Sequence, residues 1–375
     1  AVWFHAVSGG EVEALFPLVQ QVQLHHPDLP LLVTCTTPTG SARITALLQD
    51  TVQHVYLPYD IPFAVKRFFR CFQPCQAVIM ETEIWPNLYA YCGINAIPLY
   101  VINARLSEKS AAGYVKIPAL IQPALAQVNT IATQTQADAE RFIAIGAAPE
   151  KVKNLGNIKF DVAIPEATIE QGLLLKQQLF AGRFVWLLAS THQDEELLFL
   201  QIFPELKQHI PNLLLLIVPR HPERFTEVFK QCMQHNLNVV RRSEQQRCNA
   251  DTDVYLADTM GELKMLYAAA ELAFVGGSMV PVGGHNILEP AAIGVAVMFG
   301  PYMANFKEIA AGVLKQAAAI QCHTQQDIVN TLIELYQQPE RRYQLAFRAK
   351  DFVAQNQGAV AKIYALLDKS MTELA

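Results

Sequence analysis

Strand-length apolar runs alternate with longer stretches whose apolar residues recur at helical spacing, and the alternation starts afresh in the second half of the chain. A short run of β-branched and aromatic residues, closed by a small-residue turn and followed by an amphipathic helix, buries both of its faces best in a parallel sheet with helices on either side. The first half offers strands at 2–7, 31–36, 51–56, 77–80, 98–102 and 130–133; the second at 185–189, 213–218, 238–240, 254–256, 272–275 and 295–298. Between them lie helical patterns such as 11–25, with Val12, Leu15, Val19 and Val22 on one face, and one beginning near Ser41 after a Thr-Pro-Thr-Gly turn. The stretch 157–165, before a helix over 166–179, reads as a linker, and 341–374 reads as helical throughout. The reading is an α/β protein of two Rossmann-like domains facing a central cleft: residues 1–160, residues 161–350, and a C-terminal helix at 351–375 that packs back on the first domain.

A chain of 375 residues suits two such domains, and 51% hydrophobic against 17% charged residues provides for a large core and some exposed apolar surface. A net charge of −5 gives no bulk basic field, which argues against a nucleic-acid partner. The seven cysteines are odd in number and form no C-x-x-C pair, the pattern of reduced, mostly buried thiols rather than a disulfide framework or a structural zinc site. No window reaches the roughly 18 apolar residues of a membrane span. Because the chain opens directly on a strand, an N-terminal anchor preceding it is expected.

In open α/β sheets ligands bind beyond the carboxyl ends of the strands, so chemistry is sought there. The first strand runs into Ser8-Gly9-Gly10-Glu11, where the glycines permit positive φ and close approach of a ligand. Glu11 is there either a carboxylate favouring the helix dipole or a general base. Glu81 and Glu83 follow the strand 77–80, and an extended backbone points both the same way. Paired carboxylates raise one another's pKa, which suggests function; the alternative is a helix start with Pro86 in its first turn. Arg105 follows the next strand and pairs with a phosphate or with one of these carboxylates. Lys159 is either a ligand contact between domains or a solvated linker charge.

In the second half, strand ends at 189–192, 218–222, 258–263 and 276–278, with Gly283-Gly284-His285-Asn286 beyond, together describe a phosphate and nucleoside cradle in which Glu289 meets a ribose diol. The stretch 62–72 sets Phe and Val at helical spacing beside Lys66, Arg67 and Arg70; it is either a core-facing helix or one that rests on an anionic bilayer. The chain has no P-loop, no G-x-S-x-G elbow and no H-E-x-x-H, which disfavours a kinase, a serine hydrolase and a zinc protease.

The strings HAVSGGEVEA (5–14), METEIWPNL (80–88), NARLSEKS (103–110), GNIKFD (156–161), VPRHPERF (218–225), MGEL (260–263) and GGHNILEPA (283–291) occur in the order and approximate spacing of the Kdo (3-deoxy-D-manno-octulosonic acid) transferases of lipopolysaccharide synthesis. The chain resembles that family over nearly its whole length. The resemblance implies a GT-B fold, CMP-Kdo as donor, a lipid A precursor as acceptor, inversion at the transferred sugar, and work at the cytoplasmic face of the inner membrane. It implies neither a metal nor any other cofactor. By position, Glu11 matches the family's general base, and Glu81 and Lys159 match residues assigned to transition-state stabilisation. Pro219, Arg220, Met260, Gly261, Glu262, Asn286, Ile287, Leu288 and Glu289 match its CMP-binding segments. Gly9 departs from the pattern, standing where the family usually has a larger residue. Other readings of the same architecture are a UDP-sugar transferase, a sugar epimerase, or a nucleotide-sugar binding protein without activity.

Overall fold

The computed structural model describes residues 1–372 and divides into two compact units, residues 1–161 with 356 onward, and Val162–Gln355. In the first unit the strands are β1 (Val2–His5), β2 (Leu31–Cys35), β3 (Gln53–Tyr56), β4 (Gln76–Met80), β5 (Leu99–Ala104), β6 (Thr130–Thr133) and β7 (Val152–Asn154). They form one parallel sheet in the order β3-β2-β1-β4-β5-β6-β7. In the second, β8 (Phe184–Thr191), β9 (Leu213–Pro219), β10 (Val239–Arg241), β11 (Val254–Leu256), β12 (Leu272–Val275), β13 (Ala296–Phe299) and β14 (Ile320–Gln321) form another, in the order β10-β11-β9-β8-β12-β13-β14. Strand order reverses beside the first strand of each sheet, between β1 and β4 and between β8 and β12. These are the switch points at which doubly wound sheets open a crevice for ligands.

Each sheet is covered on both faces. In the first unit, alternate residues of β1 and β4 divide between two cores: Val2, Phe4, Val78 and Met80 pack on one face, Trp3, Ala77 and Ile79 on the other. The second unit repeats this with Trp186 and Leu188 against Val185 and Leu187. The chain's return to the first unit has a local cause. The helix Pro339–Asn356 ends, Gly358 takes a left-handed φ of 97°, and a new helix runs over Ala359–Thr372. Asp161 accepts hydrogen bonds from the backbone N–H of Gly358 (2.5 Å) and of Val360 (2.6 Å). Val360, Ile363, Leu367 and Met371 then pack among Val12, Leu15 and Val19. The stretch 341–374 is therefore two helices rather than one, with the return beginning at Asn356 rather than 351; residues 373–375 lie outside the described residues.

Among the described residues, no helix is long and apolar enough to cross a membrane. In the helix Pro62–Phe72, Val65, Phe68 and Phe69 are buried, so its apolar face belongs to the core. Lys66, Arg67 and Arg70 face outward, and Tyr59, Ile61 and Phe63 stand exposed at its start.

Candidate active site

At the first unit's switch point, β1 feeds a helix that begins at Gly9 rather than Glu11. Ser8 is its N-cap, which places Glu11 at the third helical position. Gly9 and Gly10 are helical and neither has a positive φ, so the expected glycine turn is a capped helix start. A Cβ on Gly9 would meet the Thr39 carbonyl at 3.4 Å, an ordinary contact, so an alanine fits there. The Glu11 carboxylate accepts from the backbone N–H of Val7 (3.0 Å) and the hydroxyl of Ser8 (3.0 Å). A capping carboxylate ordinarily titrates low. Glu11 instead is raised to about 7, because burial disfavours its charge and the nearby Glu81 adds like-charge repulsion, together outweighing both hydrogen bonds.

Glu81 begins where β4 stops. Its backbone turns into the left-handed region at φ 55°, so the extended alternation expected across Glu81 and Glu83 is broken. Glu81 is only 7% exposed. One carboxylate oxygen lies 3.4 Å from the Lys159 ammonium and the other 3.1 Å from Nε of Arg105. Lys159 is thus no solvated linker charge: it sits on the short turn Ile158–Phe160, in the first unit. Burial also pushes Glu83 upward, with Glu81 contributing. Pro86 does open a helix, Pro86–Ile94, but that helix starts beyond both carboxylates. Two carboxylates of different character therefore share one switch point. Glu81 is flanked by two cations, while Glu11 has no cation within ion-pair distance among the described residues and is poised to exchange a proton near neutrality.

At the second unit's switch point, part of the expected cradle is already filled. The side chain of Glu195, fully buried, accepts from the backbone N–H groups of His192 (3.0 Å), Gly277 (2.7 Å), Ser278 (3.0 Å) and Met279 (2.9 Å). A row of N–H groups of this kind is what binds a phosphate, and the chain's own carboxylate takes it. The turn at 276–278 is therefore framework. Its signature in the sequence, two acids in the first turn of the helix after β8, resembles ordinary dipole complementation and gave no warning.

Beside this framework stands a basic edge. Arg220 is exposed just beyond Pro219, at the end of β9. His192 and His285 stack with their Nε2 atoms 2.7 Å apart, and His285 is held down at about 3 by burial and by neighbouring His192 and Arg220. Glu196, also buried, accepts from Thr191 (2.7 Å) and Arg224 (2.6 Å), tying the ends of β8 and β9 together.

Met260, Gly261 and Glu262 line or border a cavity of about 710 Å³, shared with Leu175, Gln178, Arg242 and Thr259. Glu262 accepts from Arg242 at 2.8 and 3.1 Å, a two-point pairing that fixes the cavity wall. Sequence reading did not single out Arg242, since its partner lies on a different loop. In 286–289, the Asn286 side chain caps the backbone N–H of Leu288 (2.9 Å), and Ile287 and Leu288 are buried in the core. Those two offer a ligand backbone groups only. Glu289 remains half-buried, 3.9 Å from Lys264. Among the described residues, no group of three or more His, Cys, Asp or Glu side chains is arranged to hold a metal ion.

Two doubly wound units in one chain, one with Glu11 and Glu81 at its switch point and the other with Arg220 and a separate cavity at its strand ends, have the architecture of the GT-B class of glycosyltransferase. Residues 1–162 match the family model described as 3-deoxy-D-manno-octulosonic-acid transferase. A transferase of that name from Haemophilus influenzae is 38% identical over 98% of this chain and 86% of its own length; another, from Bordetella pertussis, is 36% identical over 96% and 85%. The chain belongs to the 3-deoxy-D-manno-octulosonic acid transferase family. The fold is also that of a UDP-GlcNAc 2-epimerase from Neisseria meningitidis, with a TM-score of 0.63 at 15% identity over 98% of this chain and 99% of that one.

Proposed function

We propose that the protein transfers Kdo from CMP-Kdo to a lipid A precursor, with inversion at the sugar, and that Glu11 is the general base. The observation that carries the reading is the Glu11 carboxylate, raised to about 7 at a switch point, where a base working at neutral pH needs to titrate. Glu11 removes the proton from the acceptor hydroxyl as its oxygen forms a bond to the anomeric carbon of Kdo. The bond from that carbon to the phosphate oxygen of CMP breaks on the opposite face. Positive charge builds on the sugar as CMP departs, and Glu81, held by Lys159 and Arg105, supplies a fixed negative charge.

In the second unit, Pro219 and Arg220 receive the phosphate, with Arg220 meeting the charge that grows on it. The cavity at Met260, Gly261 and Glu262 takes the cytidine. Asn286, Ile287 and Leu288 contribute through backbone, and Glu289 accepts from the ribose hydroxyls. The leaving charge is met by side chains in this scheme, so activity is expected to survive chelation by EDTA.

The acceptor is a lipid, which sets the enzyme at the cytoplasmic surface of the inner membrane. The exposed Lys66, Arg67 and Arg70, with Phe63 and Ile61 beside them, are its contact with anionic headgroups. Replacing the three cations by Ser is expected to abolish sedimentation with anionic vesicles while leaving CMP binding intact. Undiminished sedimentation would contradict that contact.

The test of the donor is competition. CMP is expected to inhibit Kdo transfer and UDP to leave it unchanged at the same concentration. Inhibition by UDP alone would favour the UDP-sugar reading.

A further inference from the structure

Asn103 combines two features that an ordinary strand residue avoids. It lies inside β5, fully buried, yet has a left-handed φ of 48°, where the register between β5 and β6 is broken. Its amide nitrogen is buried and has no hydrogen-bond partner among the described residues. A left-handed backbone and an unpaired amide are each unfavourable in the interior of a strand.

What the conformation achieves is contact with the turn that carries Lys159. The Asn103 side-chain oxygen accepts from the backbone N–H of Ile158 at 3.1 Å. Its backbone carbonyl accepts from the Gln134 side chain at 2.9 Å. The Gln134 oxygen accepts from the Asn157 side chain at 2.8 Å, and the Asn157 oxygen accepts from the backbone N–H of Lys159 at 2.9 Å. The turn is thus gripped at successive backbone positions, both times through Asn103. On the next strand, the backbone N–H of Glu81 donates to Ile102, the residue before Asn103, at 3.0 Å. Both partners of the Lys159–Glu81 ion pair are therefore referenced to the same irregular point in β5.

We propose that Asn103 is a positioning residue, which sets the Lys159 ammonium against the Glu81 carboxylate through its side-chain hold on Ile158, with its backbone carbonyl anchoring the Gln134–Asn157 chain beside it. The inference rests on the roles given above to Lys159 and Glu81. Asn103 itself touches no reacting atom. Its left-handed backbone turns the side-chain oxygen toward Ile158, and a slack turn would leave the Glu81 charge less neutralised and stronger at Glu11.

The experiment is a double-mutant cycle on the full chain, with Asn103→Gly, Lys159→Ala and the double variant, assayed for transfer of Kdo from CMP-Kdo. Glycine accepts the left-handed φ, so this change removes the side-chain hold on Ile158 without adding strain and leaves the carbonyl that anchors Gln134 in place. Asn157→Ala, which cuts the second hold on the same turn at a half-buried site, is run in parallel. CMP affinity, a property assigned to the second unit, serves as the check on folding.

Asn103→Gly and Asn157→Ala are each expected to lower kcat roughly 10-fold with donor KM unchanged, and to have under about 2-fold effect in the Lys159→Ala background. The acid limb of the rate profile is expected to move to higher pH in both single variants. Equal losses with and without Lys159, or no loss while Lys159→Ala loses rate, would overturn the positioning role alone. A Lys159→Ala variant that turns over at the wild-type rate would instead overturn the role assigned to Lys159 itself.

Discussion

The chemistry of the first unit turns on what a few ångströms do to a carboxylate. Glu11 and Glu81 leave adjacent strands at one switch point, yet Glu81 is clasped by Lys159 and Arg105 while Glu11 has only hydrogen-bond donors. Burial and the Glu81 charge put Glu11 at about 7, so the base form grows as pH rises through neutrality. The rate of transfer is therefore expected to climb with an apparent pKa near 7 and then level off. Removing the negative charge by Glu81→Gln is expected to shift that limb to lower pH, and an unmoved limb would show that the two carboxylates do not communicate. Stability carries the opposite sign. A carboxyl whose pKa is higher folded than unfolded binds its proton more tightly in the native state, so it stabilises below about 4.5 and that contribution is lost as pH rises through 7. Glu11→Gln is expected to gain stability over the wild type at pH 8, on the order of 2 kcal/mol by chemical denaturation, while losing turnover.

At the scale of elements, the helix that carries Glu11 begins on two glycines that its backbone does not require. Gly10 has no atom within 4 Å of where a Cβ would lie, and its φ is negative. Gly10→Ala is expected to stabilise the protein by about 0.5 kcal/mol, read as a raised midpoint of thermal unfolding. The start of the last helix is held by one side chain from the end of its unit's first segment: Asp161, which accepts from the N–H groups of Gly358 and Val360. Asp161→Ala is expected to cost about 1–2 kcal/mol. These elements also show what the sequence disclosed. Long apolar runs such as Leu213–Pro219 and Leu272–Val275 declare themselves as buried strands. The short edge strands Val152–Asn154 and Ile320–Gln321 do not, being polar and only a few residues long. The break at Gly358 was missed because helical periodicity resumes at once beyond it; the partner that makes it a break is Asp161, far away in sequence.

For the whole molecule, the repeat of alternating runs was enough to imply two doubly wound sheets, and strand ends were enough to pick out polar residues that stand at their switch points. Glu11, Glu81, Arg105 and Lys159 all stand out as polar residues just beyond a strand or beside a linker, and the fold brings the last three together within ion-pair distance. What remained hidden was partnership. That Glu195 fills the N–H row at 277–279, and that Arg242 braces Glu262, are contacts between distant loops with no local signature. The proposed reaction is transfer of Kdo by this pair of units from a cytidine donor to a lipid acceptor, with Glu11 as base. The most direct measurement incubates purified protein with CMP-Kdo and a lipid A precursor and weighs the lipid product by mass spectrometry, with Glu11→Ala alongside. A gain of one or more Kdo units is expected, falling by roughly 100-fold or more in the variant while CMP binding is retained. No gain from a protein that binds CMP saturably, or an equal gain from the Glu11→Ala variant, would contradict it.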